Sequence, residues 1–271
     1  MATTTFNPNE IIIEKVRSVE EYDPSSKIMS GRYTQVEEPS LKFTADSTEV
    51  TDAMGVPIAE FYKAQKGEFS FQNSIFSLDL ASSQFGVDKT VASSTNKMVV
   101  PVSEDNLTVS STSTVTLSHT PIEGSVLAVQ ILDTANGGGI TNTYTLSTTA
   151  GEGKFTISGK VITLPSTVTS GTAFVSYNVS ADKAVSISKS TDGIPQVKTL
   201  HINVLFHNIC DTNITYAGTI VCPRAQIDPS SIEMSLKPDG KHSATYKLQK
   251  EYCSASATLA TIYVTELTDV E

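Results

Sequence analysis

Three cysteines and four histidines are the residues of this chain that could bind a metal or act as nucleophiles. His207 lies three residues before Cys210, and Cys222 and Cys253 would complete a conceivable zinc-ligand set. Structural zinc sites usually contain a closely spaced cysteine pair, and the sequence has none. The cysteines are also odd in number and widely spaced, which is not the pattern of a disulfide framework. We therefore expect free thiols and no metal site.

Carboxylates and histidines are the remaining candidates for catalysis. Asp46, Glu49 and Asp52 form an acidic group, but they lack the glycine and the twelve-residue ligand pattern of an EF-hand. The even spacing of His201 and His207 predicts one shared strand face, where a structural role is expected. No nucleophile elbow, P-loop, HExxH or dinucleotide fingerprint occurs. Because catalysis requires convergent titratable groups, the sequence predicts no catalytic residue, no cofactor and no enzyme.

The charge of the chain limits its partners. The formal net charge is −10, and residues 1–96 carry 14 acidic against 8 basic side chains. Binding to the nucleic-acid backbone requires Lys and Arg to displace counterions, so this balance argues against it. The acidic surplus would promote solubility, and it would also suit a surface that repels a polyanion. With no signal-peptide pattern and no membrane-spanning apolar run, we expect a cytoplasmic protein without a membrane partner.

The elements that position these residues change in character in the middle of the chain. Between residues 97 and 189, short apolar stretches alternate with Ser, Thr or Gln and are separated by Gly-containing turns. Such alternation is typical of half-buried antiparallel strands, and this spacing predicts an immunoglobulin-like β-sandwich. The predicted strands are Thr114–His119, Ser125–Leu132, Asn142–Ser147, Lys154–Ser158, Val161–Leu164 and Thr172–Val179.

The two flanking segments predict a second domain. Residues 1–96 contain a predicted hairpin, in which Pro57–Lys66 returns through Gly67-Glu68 into Phe69–Phe71, while residues 1–40 read as turns with one edge strand at Ile11–Ile13. Residues 190–271 supply strands and no helix. Neither segment can close a sheet alone, so we predict one discontinuous domain, 1–96 plus 190–271, interrupted by 97–189. The C-terminal strands are predicted at Val197–Phe206, Thr215–Val221, Ile232–Leu236, Ala244–Lys250 and Thr258–Val264.

One short helix is predicted in the chain. Asn73 and Ser74 are suitable N-cap residues, and Gly86 is a suitable C-terminal residue, for a helix over Ile75–Phe85. An extended strand over Ser74–Leu80 is the alternative. If the helix forms, its apolar side chains are expected to pack against the sheet of the discontinuous domain; these are Ile75, Phe76, Leu78 and Leu80.

Two stretches of the flanking segments resemble tail tube and related structural proteins of tailed bacteriophages. The first is Gly55–Gly86, with Ile58-Ala59-Glu60-Phe61-Tyr62-Lys63-Ala64, Gly67-Glu68-Phe69-Ser70-Phe71 and the helix end Ala81-Ser82-Ser83-Gln84-Phe85-Gly86. The second is Ile220–Tyr252, with Pro223-Arg224-Ala225-Gln226-Ile227 and Pro238-Asp239-Gly240-Lys241-His242. The middle segment is similar to immunoglobulin-like modules found on phage virion proteins.

This resemblance implies a mainly all-β fold: a tail-tube-like β-sandwich or barrel with one short helix, interrupted by an immunoglobulin-like β-sandwich. It implies a virion structural protein that assembles with itself as hexameric rings stacked into a tail tube, in the host cytoplasm. Other tail proteins would be partners, and DNA would pass through the lumen during ejection without specific binding. A capsid decoration or other virion surface protein is the alternative, and an adhesive, carbohydrate-binding β-module is a third possibility.

An acidic lumen would keep passing DNA away from the wall, because like charges repel. Sequence alone does not determine which carboxylates face inward, since a one-residue register error turns each side chain to the other face. The candidates for the lumen wall are Glu37, Glu38, Asp46, Glu49, Asp52, Glu60 and Glu68.

Overall fold

The computed structural model describes residues 11–133, 138–210, 214–251 and 257–266. It contains one α-helix in these residues, α1 (Leu78–Phe85), and is otherwise built of strands. The first strands are β1 (Ile11–Tyr22), β2 (Met29–Tyr33), β3 (Val36–Thr51), β4 (Pro57–Asn73), β5 (Thr90–Val91), β6 (Met98–Thr108), β7 (Thr114–Thr116), β8 (Ala128–Asp133) and β9 (Gly139–Leu146). They are followed by β10 (Lys154–Ser158), β11 (Val161–Thr163), β12 (Thr172–Ala181), β13 (Val185–Ser186), β14 (Val197–Asn208), β15 (Thr215–Ile227), β16 (His242–Leu248) and β17 (Thr261–Glu266). The expected mainly all-β fold with one short helix is confirmed.

The chain forms two compact units. The first combines the residues up to Lys89 with those from Ile187 onwards, and the second comprises Thr90–Ser186. The boundaries expected from the sequence, at 97 and 189, lie a few residues further along the chain. The difference arises because β5 and β13 pair as a two-stranded ribbon at the two ends of the second unit.

The first unit is built around one antiparallel sheet in the order β2-β1-β14-β15-β16-β4-β3. β15 is long enough to pair with two strands along one edge: its residues Tyr216–Val221 pair with β17, and Ala225–Ile227 pair with β16. The resulting sheet is a nearly closed barrel. Strict alternation in β14 places Leu200, Ile202 and Val204 in the core, as the period of a half-buried strand requires.

The predicted hairpin turn at Gly67-Glu68 is wrong. Pro57–Asn73 is a single strand, β4, whose partner is β3, and Gly67 is buried in the middle of it. A Cβ atom at Gly67 would lie 2.8 Å from the Leu248 Cδ1 atom and 3.1 Å from the Phe43 Cε1 atom. The glycine therefore permits close packing within a strand, which is the other common reason for glycine in a β-sheet.

The N-terminal segment is more regular than the sequence predicts. The stretch at Ile11–Ile13 pairs with β14 alone and so lies at an edge, whereas Val19–Tyr22 of the same strand lie between β2 and β14. The predicted turn Glu37–Ser40 is a bulge within β3, where Glu38 adopts a positive φ of 47°. A bulge accommodates Pro39, which cannot donate a ladder hydrogen bond.

The helix begins later than predicted, and β4 already ends at Asn73, so the alternative of a strand over Ser74–Leu80 is also wrong. Ser77 is the N-cap residue, and its Oγ atom accepts a hydrogen bond from the Leu80 N–H at 3.3 Å. Gly86 ends the helix in the left-handed region at φ 69°, as the sequence indicated.

The expectation that four apolar side chains of this segment pack in the core is wrong for three of them. Leu80 is fully buried, whereas Ile75, Phe76 and Leu78 are 58%, 54% and 43% exposed. Ile75 and Phe76 precede the helix, so helical periodicity does not apply to them. Leu78 is the first helical residue and points away from the face that carries Leu80 and Ala81.

In the C-terminal part of the first unit, the predicted strand Ile232–Leu236 is absent from the described residues. Only Met234 makes an isolated bridge, to His242, and a short 3-10 turn occupies Pro229–Ser231. A turn forms at Pro238-Asp239-Gly240, with a hydrogen bond from the Gly240 N–H to the Lys237 carbonyl oxygen at 2.9 Å.

The second unit contains a seven-stranded sheet in the order β6-β12-β8-β9-β10-β11-β7. Its core is separate from that of the first unit and includes Val115, Phe155, Ile162 and Val175, each 0% exposed. β6 was not recognised in the sequence, although it pairs with β12 over nearly its whole length. The immunoglobulin-like topology stays a prediction.

Candidate assembly surface

A long hairpin arm, defined as residues 44–66, extends β3 and β4 away from the core of the first unit. Every residue of the arm except Ala45 is exposed. The ten residues of β4 from Pro57 to Lys66 span about 33 Å at the usual rise per residue. An isolated two-stranded hairpin is at best marginally stable in water. An arm of this length with both faces bare therefore suits contact with another molecule.

The turn at the tip of the arm is specified by its sequence. The Asp52 Oδ1 atom accepts hydrogen bonds from the Met54 N–H at 2.8 Å and the Val56 N–H at 2.9 Å. Gly55 supplies the positive φ of 83° that this turn requires. Asp52, one of the acidic lumen candidates, thus closes the hairpin. The arm could have been found from this Asp-x-x-Gly turn, which precedes the alternating stretch of β4.

Large apolar side chains are exposed on both faces of the arm. Val50 lies opposite Ala59, and Thr48 lies opposite Phe61, so Val50 and Phe61 occupy one face. Ile58 and Tyr62 occupy the other face. Met54, at the tip, is 87% exposed, and Phe61 is 64% exposed. Burial of each such side chain in a contact with another molecule would contribute about 1.5–3 kcal/mol of free energy.

Two acidic lumen candidates are brought together on the arm. Glu49 and Glu60 are direct cross-strand partners, and like charges in this position destabilise a sheet. The Tyr62 hydroxyl donates a hydrogen bond to the Glu60 carboxylate at 2.8 Å. Hydrogen bonds from Ser47 and Tyr62 lower the pKa of Glu60, so the carboxylate is ionised at neutral pH. One face of the arm is therefore acidic as well as apolar.

The other acidic candidates lie along the same two strands, and three of them form ion pairs. Glu37 forms an ion pair with Lys241 at 2.6 Å, and Asp46 forms one with Lys66 at 2.6 Å. Glu68 forms an ion pair with Lys247, and Glu38 accepts a hydrogen bond from the Gln72 side-chain amide at 2.8 Å. Among the described residues, Glu49, Asp52 and Glu60 have no cationic partner within ion-pair distance. Glu38 likewise has no ion pair within the described residues, so three of the four unpaired candidates lie on the arm.

A second exposed apolar surface, the helix-entry patch, consists of Ile75, Phe76 and Leu78. The Phe76 ring stacks on the buried His242 ring, with centroids 5.3 Å apart and planes inclined by 13°. His242 is itself held by a 2.6 Å hydrogen bond between its Nε2 atom and the Gln84 Oε1 atom. Burial lowers the pKa of His242, which keeps this ring neutral at physiological pH. Phe76 of the helix-entry patch is therefore held in place by the buried His242 and Gln84 side chains.

The helix is fixed to the sheet by a buried carboxyl group. Glu21 on β1 is 0% exposed, and it accepts hydrogen bonds from the Ser83 hydroxyl of α1 and the Tyr246 hydroxyl of β16, each at 2.5 Å. Burial raises the pKa of Glu21, although the two hydroxyl donors partly oppose this effect. One side chain thus connects three elements of the first unit.

The residues considered for metal binding lie apart. His201 and His207 share the polar face of β14, and the His207 Nε2 atom lies 2.6 Å from the Glu14 Oε2 atom. Cys222 is a free thiol, and burial raises its pKa to about 12. Cys253 lies outside the described residues. Within the ranges that the structure describes, no three His, Cys, Asp or Glu side chains converge as a metal-binding group. None of the described helices is long and apolar enough to cross a membrane.

Comparison with known protein families identifies the chain. The model of the YomU/Tube protein family matches residues 11–261, a range that covers both compact units. The chain belongs to the YomU/Tube protein family. This phage tube family is structural and not enzymatic, in agreement with the resemblance seen in the sequence. No curated protein matches the chain.

Proposed function

We propose that this YomU/Tube family member is the subunit of a phage tail tube, which assembles as stacked hexameric rings and conducts DNA during ejection. The observation that carries the proposal is the hairpin arm, which exposes large apolar side chains on both of its faces. In a tube, another copy of the chain would cover the arm. The subunit would be assembled in the host cytoplasm and would join other tail proteins in the virion.

The energetics of the arm favour many identical contacts over a single one. Burying Val50 and Phe61, which share one face, would contribute on the order of 3–6 kcal/mol before the costs of association. Those costs are about 4–15 kcal/mol for two free molecules. A pair of copies joined by one arm would therefore be weak. In a closed ring every copy both gives and receives an arm, and the contact that closes the ring is made without a further association cost.

The two faces of the arm suggest a division of roles. The face that carries Val50 and Phe61 would pack on a neighbouring copy, and the face that carries Glu49 and Glu60 would point toward the lumen. Their uncompensated charge would repel the phosphate backbone, so DNA would pass without binding. Of the remaining lumen candidates, Glu37, Asp46 and Glu68 would contribute less net charge because each forms an ion pair with a lysine. Glu38 accepts a hydrogen bond from a neutral amide and keeps its charge.

Electron microscopy of the purified protein tests this function. We expect rings or tubes with a central hole. Phe61→Ser should abolish them while the protein remains folded, because the side chain makes no contribution to the core. Gln65→Ser, an exposed polar position on the same strand, is the matched control and should assemble normally. Wild-type monomers that bind only to capsids would instead support the alternative of a capsid decoration protein. Normal tubes from Phe61→Ser would show that the arm does not make the assembly contact.

A further inference from the structure

The second unit carries a surface depression that a tube subunit does not need. It has a volume of about 380 Å³ and lies on the outer face of β8 and β12. Phe174 and Gln130 are direct cross-strand partners on this face. Their sequence neighbours Val175 and Val129 are both 0% exposed and point to the opposite, core side. The depression is therefore built on a rigid part of the sheet.

The lining combines one aromatic ring with uncharged polar groups. Phe174 lies between Gln130 on one side and Ser176 and Asn178 further along β12. The side-chain amides of Gln130 and Asn178 make no hydrogen bond to any described residue, so both keep free donors and acceptors. None of the eight lining residues is charged. Pockets of about 300–1,000 Å³ with an apolar base and a few polar groups are typical of small-ligand sites.

We propose that this depression binds an uncharged carbohydrate. The apolar C–H face of a pyranose ring would pack on the Phe174 ring, and its hydroxyl groups would donate to and accept from the adjacent Gln130 amide. Asn178 lies about 13 Å further along β12, where its amide would bond to a second sugar unit. Amides serve this purpose well because each provides donors and an acceptor, as sugar hydroxyls do. A polyanion does not fit, since the lining offers no cation. The proposal concerns the second unit alone and is independent of tube formation by the first.

The experiment is a binding measurement on the full-length protein with an array of uncharged glycans, followed by titration calorimetry with the best ligand. Heparin oligosaccharides serve as the charged comparison. We expect one class of neutral glycan to bind, and we expect Phe174→Ala to weaken binding by at least about tenfold, the effect of removing an aromatic anchor. Gln130→Ala should weaken it by a smaller factor. Leu146→Ala, at an exposed apolar position in a different groove, should leave it unchanged.

Circular dichroism of each variant establishes that the fold is retained, and Phe174→Leu provides a second variant that keeps apolar volume but removes the ring. Loss of binding in both Phe174 variants with an intact fold supports the proposal. Absence of binding across the array, equal binding of heparin, or undiminished affinity in the Phe174 variants would each overturn it. Association of two copies through this face would overturn it as well, because the occupant would then be a protein.

Discussion

The buried carboxyl of Glu21 gives a sharp prediction about the pH dependence of stability. Because burial raises its pKa above the ordinary value, the folded state retains the carboxyl proton to higher pH than the unfolded state does. The contribution of Glu21 to stability is then complete below the unfolded pKa of about 4.5 and is lost as pH rises through the folded pKa. Each unit of upward shift corresponds to about 1.4 kcal/mol.

The magnitude follows from the contacts of the side chain. Glu21→Ala removes the acceptor of the buried Tyr246 hydroxyl, which costs about 1–3 kcal/mol, and leaves a cavity. The Ser83 hydroxyl is half-buried and can turn to water. At pH 4.5 we expect a loss of about 2–4 kcal/mol in the free energy of unfolding. Glu21→Gln keeps an acceptor and the volume without ever being charged, so it should be nearly neutral at pH 4.5 and stabilising at pH 8.

Urea unfolding between pH 4.5 and 8, followed by the near-ultraviolet circular dichroism of the tyrosines, measures these differences. Glu20→Gln, on the partly exposed face of the same strand, controls for the loss of one negative charge. If Glu21→Gln destabilises the protein more at pH 8 than at pH 4.5, the ionised carboxylate is the favoured form and the reasoning is refuted.

Three further predictions concern the helix and the second unit. Gly86→Ala should destabilise the protein by more than about 2 kcal/mol in thermal melts, because the residue has a positive φ and its Cβ atom would overlap the Ile194 carbonyl oxygen. Gly124 has a similar φ but no atom within 4 Å of the added Cβ, so Gly124→Ala should cost only about 1 kcal/mol. Leu80→Asp should unfold the first unit by burying a charge, whereas Leu78→Asp should change the melting temperature little, and the reverse order would contradict the helix orientation. Replacing Thr90–Ser186 by a short Gly/Ser linker should leave tube formation intact in electron microscopy; loss of the fold would show that the second unit is required for it.

The fold class could be predicted from the sequence because strand alternation and turn residues are signals that extend over only a few residues. The alternation of β14 sorts Leu200, Ile202 and Val204 onto one face in any antiparallel sheet, so it identifies a strand without knowledge of its partners. The end of the helix at Gly86 was likewise predictable, since a left-handed residue is needed there and glycine adopts it readily. The acidic surplus of the N-terminal segment was also visible, but not its distribution.

Only the tertiary structure decides whether a given glycine, glutamate or phenylalanine lies in a turn or a strand, which residues it contacts and whether it is buried. Gly67 resembles a turn residue in sequence, yet it lies in a strand because the Leu248 and Phe43 side chains need the space of a missing Cβ. Glu49 and Glu60 become neighbours through the register of β3 and β4, which depends on a bulge that no local pattern specifies. Phe61 and Phe71 are equally apolar members of one strand, but only Phe71 meets the core. Burial is a property of distant partners, so the sequence of a single strand cannot contain it.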